Sequence, residues 1–468
     1  MEMAKNHRVK EIIQSTFVGL LIVICLNSNL SCKKLLDAKP SFDITTPSTP
    51  QDLQALLDNS LTMNSRTPGY DEASADDYFL TPENFAVLNL RAQDAYLWKP
   101  NINEFANDWS KAAEVIYNSN ICLEAIETVD GNGTDAAQLN NIKGSALFFR
   151  AMSWLKLLWT HAQAYNPHSS NSNMGIILRQ GSDFNVPSTR ASVEECYRKL
   201  ISDLNIAAPL LPDNPQHVLR PSKAAAYALM ARAYLSMGDY PNALLNANRC
   251  LNIKSNLIDY NTIDIATNAP FQSYNPEVIF HSDISAYSYF NISPLYASVD
   301  SSLYQSYDPN DLRKSIFFAR SGKHQMFKGT YLSRALGSNA LFTGIATDEV
   351  ILIKAECLAR TDQTEEAMTA LNTLLKKRWK NTVPYIPLTA VDKEEALSII
   401  LKERRKELLF RGLRWMDIKR LNLDGANIIL KRKLNGEEYT LQPNAEKFAL
   451  PLPNDIVILS GVAQNPGW

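Results

Sequence analysis

Over 468 residues the chain carries only six cysteines and six histidines, with no CxxC pair and no HExxH. Cys122, Cys196, Cys250 and Cys357 are far apart within apolar helical patterns and read as buried free thiols. His161, His168, His217, His281 and His324 are equally scattered, so no zinc site is expected. Glycine is scarce too, 17 in all, and none of it builds a G-x-S-x-G turn, a P-loop or a dinucleotide-binding loop. Charge of one sign is also lacking: 47 Lys and Arg face 49 Asp and Glu, for a formal charge of −2. Without a bulk field there is no general attraction to nucleic acid or to an anionic membrane. No catalytic residue, metal or cofactor is expected, and the chain is not expected to be an enzyme. The rival in that class is a glycan hydrolase with two carboxylates held about 5–9 Å apart, and nothing in the sequence locates such a pair.

What is present begins at the N-terminus. Lys5, Arg8 and Lys10 lead into an apolar run over 17–26, then small residues and a cysteine, the layout of a secretory signal. The run falls short of the roughly 20 residues that span a bilayer, although residues 12–30, counted generously, would serve as an uncleaved anchor. Leu30-Ser31-Cys32 resembles a lipobox, with Asn29 where that pattern normally has Leu. Residues 1–31 are therefore expected to be a lipoprotein signal peptide, Cys32 the lipidation site, and 32–468 a single domain. A lipid chain attaches such a domain without any membrane span.

Apolar residues recurring at three and four predict helices over 109–129, 138–164, 192–208, 223–237, 240–251, 348–361, 364–380 and 392–420. Ser192 with Glu195, Pro221-Ser222 and Asp392 with Glu395 mark starts; "DGNG" (130–133), "NP" (166–167) and "LP" (211–212) mark stops. Tyr227, Met230, Ala231, Tyr234, Gly238, Tyr240, Ala243 and Ala247 stand at the spacing of a tetratricopeptide repeat, and 355–378 reads as a degenerate copy lacking the turn glycine. About four repeat-like units are expected, in helices over about 109–251 and 348–420. The stretch "LKERRKELLFRGLRWMDIKRLN" (401–422) places Glu403, Glu407, Arg411 and Arg414 on one helical stripe and Leu401, Leu408 and Trp415 on another. It reads as a structural helix with ion pairs and a packed face, Trp415 anchoring it in the core.

Two stretches lack helical period, 42–107 and 254–347, and the second is long for a loop inside a compact domain. From Phe271 to Tyr307 nine of 37 residues are aromatic, about a quarter against 9% for the whole chain. "DGNGTD" (130–135) resembles the start of a calcium loop but has Asp135 and Asn141 where an EF-hand needs Gly and Glu, so it reads as a solvated turn. "DEASADDY" (71–78) reads as a solvated acidic loop, with a calcium or ligand contact as the alternative.

In order along the chain, "LLDAKP" (35–40), "GSALFFRAMSWLKLLWTHAQAY" (144–165), the blocks 187–212 and 220–244, "IKAEC" (353–357), "ERRKELLFRGLRWMDIKR" (403–420), "FALPLPNDI" (448–456) and "QNPGW" (464–468) resemble the SusD/RagB family. The resemblance implies a mainly α fold: a tetratricopeptide-like helical repeat scaffold with long irregular insertions. It implies a non-catalytic lipoprotein of the outer membrane, on the cell exterior. Such a protein captures oligosaccharides, or alternatively peptides or glycopeptides, and delivers them to a SusC-like TonB-dependent transporter. A scaffold that binds only other proteins is a third reading, which the aromatic insertion argues against. Leu303, Tyr307, Asp311 and Arg313 resemble a family block and read as structural. Sugars present apolar C–H faces and hydroxyl edges, so their sites need exposed rings flanked by polar groups. The family's ligand contacts lie outside the repeats, which points to Tyr96 and Trp98 in "DAYLWKPN" (94–101) and to Tyr287, Tyr289 and Tyr296 in "SAYSYFNISPLY" (285–296). Asn291, Asp94 and Lys99 are their polar partners. The repeat helices are expected to hold the transporter and the insertion the ligand.

Overall fold

A computed structural model describes residues 47, 49–100, 105–128, 136–284, 295–333 and 340–468. The signal segment, Cys32, "DGNGTD" (130–135), Tyr287, Tyr289 and Asn291 lie outside the described residues.

Among the described residues nine helices of ten or more residues form the frame: α1 (Asp108–Ala125), α2 (Ala136–His161), α3 (Val193–Leu210), α4 (Lys223–Met237), α5 (Tyr240–Ile253), α6 (Thr347–Arg360), α7 (Thr364–Leu375), α8 (Lys393–Glu407) and α9 (Arg414–Leu423). Each of α1 to α7 packs on the next, α5 reaching α6 across the whole insertion, and α8 packs on α6. One continuous apolar core fills this ladder. Local chemistry sets the boundaries. Ser192 Oγ accepts the Glu195 N–H while Glu195 Oε2 accepts the Ser192 N–H, the capping box read from sequence. Gly238, at φ +75°, ends α4 in the left-handed region, and Asp239 then accepts the Asn242 N–H to start α5. Ala224, Ala225, Ala228, Ala243 and Ala247 are buried, small enough to let α4 and α5 approach closely. The four described cysteines are free and buried, and no helix among the described residues is long and apolar enough to cross a membrane.

Three expectations need correction. Residues 50–96, read as irregular, contain the short helices Pro50–Leu57, Ser60–Met63, Tyr70–Ser74, Pro82–Ala86 and Leu90–Tyr96, too brief to show a period. The insertion between α5 and α6 is likewise built of short elements. Val278–Phe280 pairs with Ile345–Ala346, Asp283–Ile284 with Leu341–Phe342, and Phe318–Ser321 with His324–Phe327, all antiparallel. Third, the helix expected over 392–420 is two helices. The chain breaks after Glu407, with Phe410 at φ +56° and Gly412 at φ +69°, so Arg411 sits in the break and not on a helical stripe.

The charges of the 401–422 stretch are structural, as the sequence implied, and most of them are buried, Lys402 being exposed and Arg405 and Arg414 half-buried. Arg313 bonds Asp311 and Glu403, and reaches Glu407 at 2.9 Å. Glu407 also accepts from Arg378 at 2.8 Å, and Arg378 reaches Glu277 at 2.9 Å. Tyr331 donates to Glu277 at 2.6 Å and to Asp348 at 3.2 Å, and Arg411 closes on Asp348 at 2.8 Å. Trp415 is in the core, its indole N–H donating to Phe448 O at 3.2 Å.

Removing one member of such a chain leaves an uncompensated buried charge. Glu407→Ala is therefore expected to cost about 3–5 kcal/mol, read from the midpoint shift in urea unfolding. A loss below about 1 kcal/mol, the level of exposed pairs, would show that the network does not hold the fold.

Candidate functional site

Within an apolar cluster separate from that of the helix ladder, the two-residue strand Tyr78–Phe79 pairs antiparallel with Ser298–Val299, Phe79 opposite Ser298. Thr81 then caps the helix Pro82–Ala86, accepting the Asn84 N–H. The Asn84 side-chain amide donates to Tyr296 O at 2.9 Å. Tyr296 is 38% exposed. Phe79 is half-buried and meets the His324 ring edge-on, centroids 5.0 Å apart at 86°. His324 comes from the hairpin Phe318–Ser321/His324–Phe327, whose second strand lies beside Ser298–Val299. Phe79 with His324, and Asn84 with Tyr296, are thus two contacts at neighbouring positions of this strand pair, with exposed Val87 capping the helix that holds Asn84 and exposed Leu90 opening the next. Partly exposed rings with an amide and an imidazole beside them offer both a stacking surface and hydrogen bonds.

Of the residues singled out in the sequence, Tyr296 is in one of these contacts. Tyr96 and Trp98 are not available to a ligand: they are 1% and 4% exposed. Their rings, with Tyr78, surround the Arg432 guanidinium at 4.2, 5.3 and 4.8 Å respectively. That guanidinium donates to the carbonyls of Tyr78 and Ala75. Tyr96 OH also accepts the Leu80 N–H at 3.0 Å, and Trp98 Nε1–H donates to Ser74 O at 3.1 Å. These are cation–π and hydrogen-bond supports beneath the strand that carries Phe79. Lys99 N–H donates to Asp94 O, and the Lys99 ammonium lies over the Tyr439 ring at 5.1 Å. Phe79, Asn84 and His324 escaped the sequence reading. A two-residue strand has no period to show, and a lone histidine carries no motif.

The acidic stretch 71–78, read as solvated, is mostly buried. Asp71 pairs with Lys156 at 2.5 Å, Asp76 with Arg414 at 2.7 Å and Asp77 with Arg405 at 2.9 Å. Burial opposes ionisation of Asp76, but Arg414 and Arg405 outweigh it and hold the carboxyl below its ordinary range. Glu72 has no such cation in contact. One oxygen accepts the Gly412 N–H at 2.6 Å and the other has no partner. Burial, with Asp77 and Asp71 nearby, pushes its carboxyl up to about 8. Among the described residues no group of three or more His, Cys, Asp or Glu is arranged to hold a metal ion.

A ladder of paired helices with a long side insertion defines a helical-repeat protein of the tetratricopeptide type. Residues 34–235 match the family described as "starch-binding associating with outer membrane", and residues 320–468 match the SusD family. SusD-like protein P2 of Formosa agariphila is 25% identical over 421 residues, 77% of this chain and 80% of that protein. A putative sugar binding protein from Bacteroides vulgatus superposes with a TM-score of 0.75 at 22% identity, covering 91% of this chain and all of that one. A laminarin binding SusD-like protein superposes with a TM-score of 0.63 at 17% identity, over 89% of this chain and 98% of its own. The chain belongs to the SusD/RagB family.

Glu72 predicts a pH effect. Its folded-state value lies above the ordinary 4.5, so its contribution is complete below about pH 4.5 and is lost as pH rises toward 8. Glu72→Gln keeps the acceptor for Gly412 and removes the titration. Its stability relative to the parent is expected to rise between about pH 5 and pH 8 and then level off, measured by thermal unfolding across that range. A constant offset would show that Glu72 is ionised throughout.

Proposed function

We propose that this chain is a non-catalytic binding protein of the outer-membrane surface that holds oligosaccharide and passes it to a SusC-like TonB-dependent transporter. The observation that carries this reading is the face of Phe79, Asn84, Tyr296 and His324, half-exposed and outside the repeats. Its rings stack on the C–H face of a pyranose, while Asn84 and His324 bond the hydroxyl edge. Membership of a family that includes a laminarin binding relative supports the ligand class. Tyr287, Tyr289 and Asn291 are proposed to contact the same ligand. The repeat helices are proposed to engage the transporter, and Cys32 to carry the lipid.

Titration calorimetry of the full chain against laminarin, starch and other glycan oligomers tests the reading. A saturating heat with at least one of them is expected, weakened about tenfold or more by Phe79→Ala with Tyr296→Ala, each ring contributing about 1 kcal/mol. Tyr287→Ala with Tyr289→Ala is expected to weaken it further. Unchanged affinity in these variants removes the face from binding, and heat that continues after saturation would mean turnover.

Anchoring has its own test. Cys32→Ser is expected to move the protein from the membrane fraction to the soluble one, and to abolish its co-isolation with a transporter in intact membranes. Retention of the variant in the membrane fraction would overturn lipidation at Cys32.

A further inference from the structure

A recess lies at the C-terminal end of α2, lined by none of the aromatic-face residues. It encloses about 400 Å³ between the segment after α2, α9 and the segment 444–449, within the range of small-ligand sites. Met174 and Phe448 supply apolar wall. Around them stand amides with hydrogen-bonding capacity to spare. Gln163 donates through Nε2 to Glu446 O, which leaves its Oε1. Asn173 donates through Nδ2 to Ser169 Oγ, which leaves its Oδ1. Asn166 accepts the His168 N–H at Oδ1, which leaves its Nδ2. Glu446 is exposed at the rim.

The wall of this cleft also contains Lys419, 5% exposed. Its ammonium donates to Trp159 O at 2.7 Å and to Ala162 O, carbonyls at the end of α2. An ammonium has three donors, so one remains. Buried charges ordinarily sit against a counter-charge: Lys156 pairs with Asp71, and Lys406 with Glu403 and Asp311, whereas Lys328, like Lys419, is held by two backbone carbonyls. Lys419 has no carboxylate at ion-pair distance among the described residues. Burial accordingly pulls it down to about 7, partly offset by Asp71. The site is a cation without its anion, at the wall of an open cleft lined by free amides.

We propose that this cleft binds a small carboxylate-bearing polyhydroxylated ligand, of the uronate class, with the ligand's carboxylate on Lys419 and its hydroxyls on Gln163, Asn166 and Asn173. The Glu446 carboxylate at the mouth accepts further hydroxyls and disfavours ligands carrying a second negative charge nearby. The plainer role of Lys419 is to cap the α2 carbonyls. That role is indifferent to whether a sugar carries a carboxylate, and this difference decides the test.

The full chain is titrated by calorimetry with D-glucuronate, with its methyl ester and with D-glucose. Glucuronate is expected to bind at least about tenfold more tightly than either neutral sugar, the difference one well-placed charge-assisted contact supplies. Lys419→Met is expected to abolish that preference. If this variant fails to fold, having left two carbonyls unpaired, Gln163→Ala with Asn173→Ala decides, with about a tenfold loss of glucuronate affinity expected in a variant that still unfolds cooperatively with a modestly lowered Tm. Phe79→Ala with Tyr296→Ala is expected to leave glucuronate binding intact, so the cleft and the aromatic face succeed or fail separately. Equal binding of acid and ester, absence of glucuronate binding at millimolar concentration, or loss of it only in the face variant would each overturn the proposal.

Discussion

The constraint on which the rest depends is the compensation of charge inside the joint between insertion and ladder. Glu277 and Arg313 come from the insertion, Arg378 from the turn after α7 and Glu407 from α8. Arg378 is stacked on Tyr260 at 3.9 Å as well. Burying such ions costs several kcal/mol each, which their mutual attraction only repays when every partner is in place. The network is therefore a poor source of net stability and a strong source of register. An insertion docked one residue out of place would bury an unpaired guanidinium. This is how a segment built of short strands and helices holds one position on a helical scaffold.

The break between α8 and α9 follows from the same logic at smaller scale. Gly412 offers its N–H to Glu72 and its carbonyl to Lys156. A Cβ there would lie 3.0 Å from Lys156 Nζ and 3.2 Å from Thr343 Cγ2, at a backbone angle few other residues accept. Polar groups of the 70–74 helix thus grip the break from one side. Immediately downstream, the same stretch becomes the strand that turns Phe79 outward, supported from below by Arg432 between three aromatic rings. Scaffold and the proposed ligand face share their supports, so the face rests on buried, hydrogen-bonded structure although its strands are two residues long.

This explains what the sequence made legible. The long helices and their caps are local properties: Ser192 with Glu195, and Gly238 before Asp239, are recognised within four residues of each other. The apolar period continues through 408–413, so nothing local announced the positive φ at Phe410 or that Arg411 would leave the helix for Asp348. The acidic run 71–78 looked solvated because its cations, Lys156, Arg405 and Arg414, come from far along the chain. Tyr96 and Trp98 looked available because Arg432, more than three hundred residues later, was not visible as the guest of their rings. Tyr296 was legible as an exposed ring, but its companions Phe79 and His324 reach it only through strand pairing.

Aromatic density, which first drew attention to the insertion, turns out to have two causes. A segment without long helices has no wide aliphatic stripe to bury, so it builds its own core from large flat side chains. Tyr260, Phe271, Phe317, Phe318, Phe327, Tyr331 and Phe342 form that second core, tilted or edge-on to one another at centroid distances of 4.6 to 6.3 Å. Phe271 and Tyr307, both counted in the enriched stretch, belong to it. Enrichment alone therefore marks packing. A ring becomes a candidate for a ligand when the polar supports around it are satisfied and it still remains half in water. Tyr296 meets that condition, with its carbonyl bonded to Asn84 and its side chain partly exposed. Tyr96, with its hydroxyl and both ring faces occupied, does not.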